Sequence, residues 1–236
     1  MSRKTRRNQP DPAPPVPAPG RLGRRSIVVV LVVALVALVA GILLQRSQHS
    51  KSAESDSAAR QAALASAHSP TLGDAGAKVH VVEFLDPACE TCAAMYPLVK
   101  QVMAANPGKI RLSVRHVAFH SGSDTVLRIL EASRAQDKYW ETLEALLGSQ
   151  SQWTMNHTAH PDLARIAIAG VGLDDAQLLA DMNSPEVAQR IQQDANDAVT
   201  MKVTATPEYF VNGRPMPSFG EQQLLNLIRE ELQRAD

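Results

Sequence analysis

Cys89-Glu90-Thr91-Cys92 contains the only two cysteines among 236 residues, and its flanks narrow what the chain can fold into. Two cysteines placed at random would fall three apart in only about one chain in a hundred. Before the pair, Val79-His80-Val81-Val82-Glu83-Phe84-Leu85 is apolar and β-branched enough for a buried strand. After it, Met95, Leu98, Val99, Val102 and Met103 recur at the spacing of one helical face. The pair therefore sits at a strand-to-helix turn, where unpaired backbone N–H groups and the macrodipole favour an anion. A thiol there loses its proton more readily, and the thiolate is the species that attacks disulfides. Cys89, nearer the exposed helix start, is the expected nucleophile, and Cys92, one turn inside, the expected resolving thiol.

Two other uses of the pair compete with redox chemistry. A zinc knuckle wants four ligands, and no second cysteine pair exists; His116 and His120 could complete one only if the fold brought them close. An inert structural disulfide is the other. The pattern favours redox chemistry, with no metal and no organic cofactor. His80, His116 and His120 read as ordinary strand or loop residues.

The amino-terminal part has a different character. Residues 1–26 are basic and proline-rich, with almost nothing to bury, and are expected to be a disordered tail. Ile27 to Leu44 is an unbroken apolar run of 18 residues. As a helix it would be about 27 Å long, near the thickness of a bilayer core. A cleavable signal peptide is the rival, but its apolar core is shorter and ends in a small-residue cleavage site, whereas Leu43-Leu44-Gln45-Arg46 follows here. An uncleaved membrane anchor is the expectation. Seven of the eight Lys/Arg in residues 1–46 precede the run, which keeps the amino terminus cytoplasmic and exports the rest. Removing that segment's eight bases and one acid from 24 of each leaves 16 bases against 23 acids, so the exported part carries about −7. An acidic exported part argues against nucleic-acid binding.

Residues 45–77 are rich in Ser and Ala and read as a linker, either a tether or a juxtamembrane helix, leaving 78–236 as one domain large enough for its own core. Asn106-Pro107-Gly108 stops the first helix, and Ile110, Leu112 and Val114 alternate with Arg111, Ser113 and Arg115 in a second strand. From about 124 to 201 the period is helical, and Ser184-Pro185-Glu186 provides an N-cap and first-turn proline for the last helix of that block. Asn212-Gly213 marks a hairpin turn, with Pro215 and Pro217 suited to an edge strand. Ser218-x-x-Glu221 reads as a capping box for a final helix.

Strand, dithiol turn, helix, strand, helical block, hairpin and helix, in that order, resemble an α/β thioredoxin-like fold with an inserted helical subdomain. The similarity is to the DsbA-like family of bacterial thiol–disulfide oxidoreductases. It covers roughly Val79 to Leu232 and is carried by Val81-Val82-Glu83-Phe84 leading into Cys89-x-x-Cys92, by Pro97, by Arg115-His116 and by Thr206-Pro207. The resemblance implies a membrane-tethered thiol–disulfide oxidoreductase, periplasmic or otherwise extracytoplasmic on a bacterial inner membrane. Its partners would be exported proteins with thiols or disulfides and a membrane redox partner. It also implies that Glu83 moves a proton to or from Cys92, with Asp86 as its substitute. Pro207 would follow a cis bond, and Thr206-Pro207 would bind extended substrate. Glu90 and Thr91 stand where DsbA has Pro-His. A carboxylate beside Cys89 should raise its pKa and weaken the protein as an oxidant, which leaves the direction of electron flow open. The alternative is a metal chaperone or assembly factor that uses the two thiols as ligands.

Overall fold

The computed structural model describes residues 55–235, together with Leu38, Gly41, Ile42 and Gln45, which are helical. The basic tail and most of the expected membrane run lie outside the described residues. No helix among the described residues is long and apolar enough to cross a membrane.

One compact unit spans Ser55–Asp236. It starts earlier than the sequence suggested, because residues 55–77 supply a helix over 55–64 (α1) and the short strand β1, Thr71–Leu72. The central strands are β2, Val79–Leu85, and β3, Ile110–His116, paired in parallel with Glu83 opposite Val114. β1 closes one side antiparallel to β3. On the other side β2 pairs antiparallel with β6, Glu208–Val211, which turns through Asn212-Gly213 into the edge strand β7, Arg214–Pro215. The order is therefore β1-β3-β2-β6-β7.

Alternation along β2 sorts its side chains between two layers. Val79, Val81 and Leu85 pack in the core cluster that includes helix α2, Glu90–Ala105, and helix α9, Glu221–Ala235. Val82 and Phe84 join Ala63, Val117, Ala198, Met201 and Phe210 on the opposite side, with Phe84 and Phe210 edge to face at 5.9 Å. Glu83 shares the parity of Val81 and Leu85, which directs it to the α2 side. Both faces are covered, so the polar residues of β3 are not solvated as alternation alone would suggest. Arg115 is fully buried and Ser113 nearly so.

The insertion contains α3 (Ser123–Ala132), α4 (Tyr139–Gly148), α5 (Gln150–Trp153), α6 (Pro161–Ala167), α7 (Asp175–Asp181) and α8 (Pro185–Met201). The Ser184 hydroxyl caps α8 by accepting from Val187 N–H. The block is not purely helical. A small hairpin of β4, Thr154–Met155, and β5, Thr158–Ala159, interrupts it, too short to carry a periodic signal. The capping box is also corrected: α9 begins at Glu221, with Leu224 N–H bonded to the Gly220 carbonyl, so Ser218 precedes the cap.

Candidate active site

Cys89 is the N-cap of α2, with extended backbone and its own N–H bonded to the Asp86 carbonyl. The residues that follow are the first helical turn, whose N–H groups lack intrahelical acceptors. Those of Thr91 and Cys92 point at the Cys89 sulfur. Both thiols are free. Neither is open to solvent: Cys89 keeps 5 % of its surface and Cys92 none. This corrects the expectation that Cys89 is exposed. Gln150 reaches in from α5, its amide donating to the Pro87 carbonyl at 2.7 Å and the Cys89 carbonyl at 3.0 Å. Thr206 closes another side, its carbonyl oxygen 3.2 Å from Cys89 Sγ, and the Thr206–Pro207 bond is cis.

Despite this cover, Cys89 is lowered from its usual range to about 5. The largest cause is the hydrogen bond from Cys92; burial opposes it, and the Thr206 side chain and the Cys92 and Thr91 backbone reinforce it. Cys92 is pushed far above the ordinary thiol range, first by burial and then by serving as that donor beside the charges of Glu83 and Cys89. The raised Cys89 expected from its neighbour Glu90 is not the net outcome. The Glu90 carboxylate leans outward, 3.3 Å from His157 Nδ1 and 55 % exposed, where water screens it.

Glu83 is completely buried. Its Oε1 accepts a 2.9 Å bond from the Tyr209 hydroxyl, from the residue opposite it on β6, while Oε2 has no hydrogen-bond partner among the described residues. Burial raises this carboxyl to about 8, the Tyr209 bond working against the shift and Cys89 adding to it. The fold thus brings Cys89, Cys92, Glu83 and Thr206-Pro207 together. Sequence reasoning missed Tyr209 and Gln150, whose positions follow only from strand register and from the insertion's packing.

It also missed what Asp86 does. This buried carboxylate accepts from Ala88 N–H and the Ser123 hydroxyl on one oxygen, and from the Phe119 and His120 N–H groups and His120 Nδ1 on the other. It ties the dithiol turn to the loop after β3. His120, read as an ordinary loop residue, therefore stands at this site. His116 does not: its Nδ1 lies 3.0 Å from Glu131 and its Nε2 meets the Tyr139 hydroxyl at 2.8 Å, inside the core.

A free dithiol at the start of α2, beside a cis-proline loop and a buried acid, defines the class of thioredoxin-like oxidoreductases with a helical insertion. Residues 65–230 match the family described as Thioredoxin, and the chain belongs to it. The structure is similar to a thioredoxin-like oxidoreductase from Silicibacter pomeroyi, with 31 % identity, a TM-score of 0.64, and coverage of 75 % of this chain and 99 % of that one. It shares its fold with Wolbachia pipientis alpha-DsbA1, with 17 % identity, a TM-score of 0.64, and coverage of 75 % and 97 %. Disulfide bond formation protein D of Bacillus subtilis is 24 % identical, over 69 % of this chain and 77 % of that protein. The chain also matches Na(+)/H(+) antiporter NhaA of Herminiimonas arsenicoxydans at 27 % identity, over 69 % of its own length but only 25 % of the antiporter's.

Proposed function

We propose that the protein is a thiol–disulfide oxidoreductase held at a bacterial inner membrane by residues 27–44, its domain exchanging disulfides with exported proteins. The unequal acidity of the two thiols is the observation that carries this reading. With Cys89 lowered to about 5, its thiolate predominates at neutral pH. Stabilising that thiolate stabilises the reduced pair, which favours giving a disulfide away over taking one. Donation to exported proteins is therefore the proposed direction.

In that direction the enzyme begins as the Cys89–Cys92 disulfide. A substrate thiolate attacks Cys89 Sγ, forming a mixed disulfide and expelling Cys92 as a thiolate, which takes a proton. Glu83, raised to about 8 and protonated in part at neutral pH, is the proposed donor. A second substrate thiolate then attacks its own sulfur in the mixed disulfide and releases the Cys89 thiolate. The substrate has lost two electrons and the dithiol has gained them, to be removed by a membrane redox partner. The Thr206-Pro207 loop, against the Cys89 sulfur, is the proposed seat for extended substrate. The name of the Bacillus subtilis relative fits this direction.

Trapping tests it. A full-length Cys92→Ala chain, expressed in cells, should accumulate mixed disulfides with exported proteins, visible as reducible high-mass bands that Cys89→Ala/Cys92→Ala abolishes. Absence of adducts, combined with metal-dependent protection of both thiols and no exchange activity, would favour the metal-chaperone alternative instead.

A further inference from the structure

Three elements converge on the rim of the dithiol: the first turn of α2, the loop after β3 and the tip of the β4–β5 hairpin. They bring Glu90, His120 and His157 together, with one potential ligand atom from each lying within 4.8 Å of the others. The two imidazoles are 6.3 Å apart between ring centres and tilted by 31°. We propose that these three side chains form a binding site for a divalent transition-metal ion of the zinc type, separate from the two thiols.

The orientation of His120 is the first argument. Its Nδ1 lies 2.8 Å from Asp86 Oδ2, and an ionised carboxylate can only accept. The ring must therefore carry a hydrogen on Nδ1, which in the neutral imidazole leaves the Nε2 lone pair free. A carboxylate behind a histidine, fixing its tautomer and aim, is the usual support of a metal-ligating imidazole. Asp86 is itself held by four other donors, so this support is rigid.

The backbone at His157 is the second argument. The turn joining β4 to β5 consists of Asn156 and His157, both in the left-handed region at φ 52° and 58°. A two-residue turn of this kind is ordinarily Asn-Gly, because the second position is hard for a side chain to occupy. Here a histidine occupies it, 78 % exposed and 3.3 Å from Glu90. The hairpin is also fastened to the loop that carries His120. Ala159 N–H donates to the Ser121 carbonyl at 2.8 Å, Ser121 bridges Thr158, and a Cβ on Gly122 would run into the Ala159 carbonyl oxygen. Both imidazoles are thus positioned by one small, well-tied unit.

The donor set suits the ion. Two imidazoles and a carboxylate make a three-ligand site that leaves a fourth position open, a pattern used for zinc. Metal–ligand bonds of about 2.0–2.2 Å would need the donors about 3.4 Å apart, and the exposed Glu90 and His157 side chains can close that gap by rotation about their own bonds.

The test uses the full-length Cys89→Ser/Cys92→Ser chain, so that no thiol can hold the metal and the outcome is independent of disulfide exchange. Competition with a chromogenic chelator should reveal one zinc(II) ion per chain. His157→Asn, which tolerates the left-handed turn, and Glu90→Gln should each weaken binding at least tenfold, with the circular dichroism spectrum unchanged. Zinc should also shift the imidazole resonances of His120 and His157 while leaving that of His80 in place. Failure to bind one ion, or binding that His157→Asn and Glu90→Gln both leave intact, would overturn the proposal.

Discussion

At the scale of single residues, the site is governed by two acids moved in opposite directions. Alkylation of Cys89 by iodoacetamide should titrate with a midpoint near pH 5, and Glu90→Gln should move that midpoint only slightly, since the main causes of the shift are Cys92, burial, Thr206 and the Thr91 backbone. Folding stability has a matching pH dependence. Glu83 is raised from 4.5 to about 8, so its favourable contribution is complete below pH 4.5 and is lost as pH climbs to about 8. The loss is about 1.4 kcal/mol per pH unit in that window. Cys89 is lowered from 9.0 to about 5, so its contribution is complete above pH 9 and is lost as pH falls through about 5. Between pH 5 and 8 the slopes oppose each other in the reduced protein. Urea denaturation should therefore find Cys89→Ser losing stability relative to Cys89→Ser/Glu83→Gln as pH rises from 5 to 8, a comparison in which other titrating groups such as His80 cancel.

Among the elements, what local chemistry dictates could be read from the sequence. Cys89 at a strand-to-helix turn, Asn212-Gly213 as the hairpin turn and Ser184 as the cap of α8 each depend on residues a few positions apart. The parity that points Glu83 towards α2 is equally local. What stayed hidden depends on contacts across the chain. Glu90 was expected to act on its sequence neighbour, yet its carboxylate meets His157, 67 positions away. Strands of two residues, such as β1 and β4, are too brief to show alternation. α5 belongs to the same category: four residues long, it matters because Gln150 supports the dithiol turn. Gln150→Ala removes the donor to the buried Pro87 carbonyl, while the Cys89 carbonyl still accepts from Ala93 N–H. The expected cost is about 1–3 kcal/mol in chemical denaturation, with a parallel change in the Cys89 alkylation rate.

Across the whole molecule, Arg115 joins parts that are distant in sequence. From β3 its guanidinium donates to Asp194 at 2.6 Å, to Asp197, and to the Ala63 carbonyl at the end of α1. Asp194 also accepts from His116 N–H and lies 2.7 Å from His68 Nε2. Burial alone would raise Asp194, but His68, His116 and Arg115 hold it below its usual range. Arg115→Leu strands these carboxylates in the interior, so unfolding should become easier by about 3–5 kcal/mol. Protease should then cut first near residues 55–64. The unequal thiols also have a consequence for the domain as an electrochemical couple. Reduction delivers two electrons, but above pH 5 only one proton accompanies them, because the sulfur at the helix start stays bare. The midpoint voltage should drift by about 30 mV per pH unit, half the slope of an ordinary dithiol.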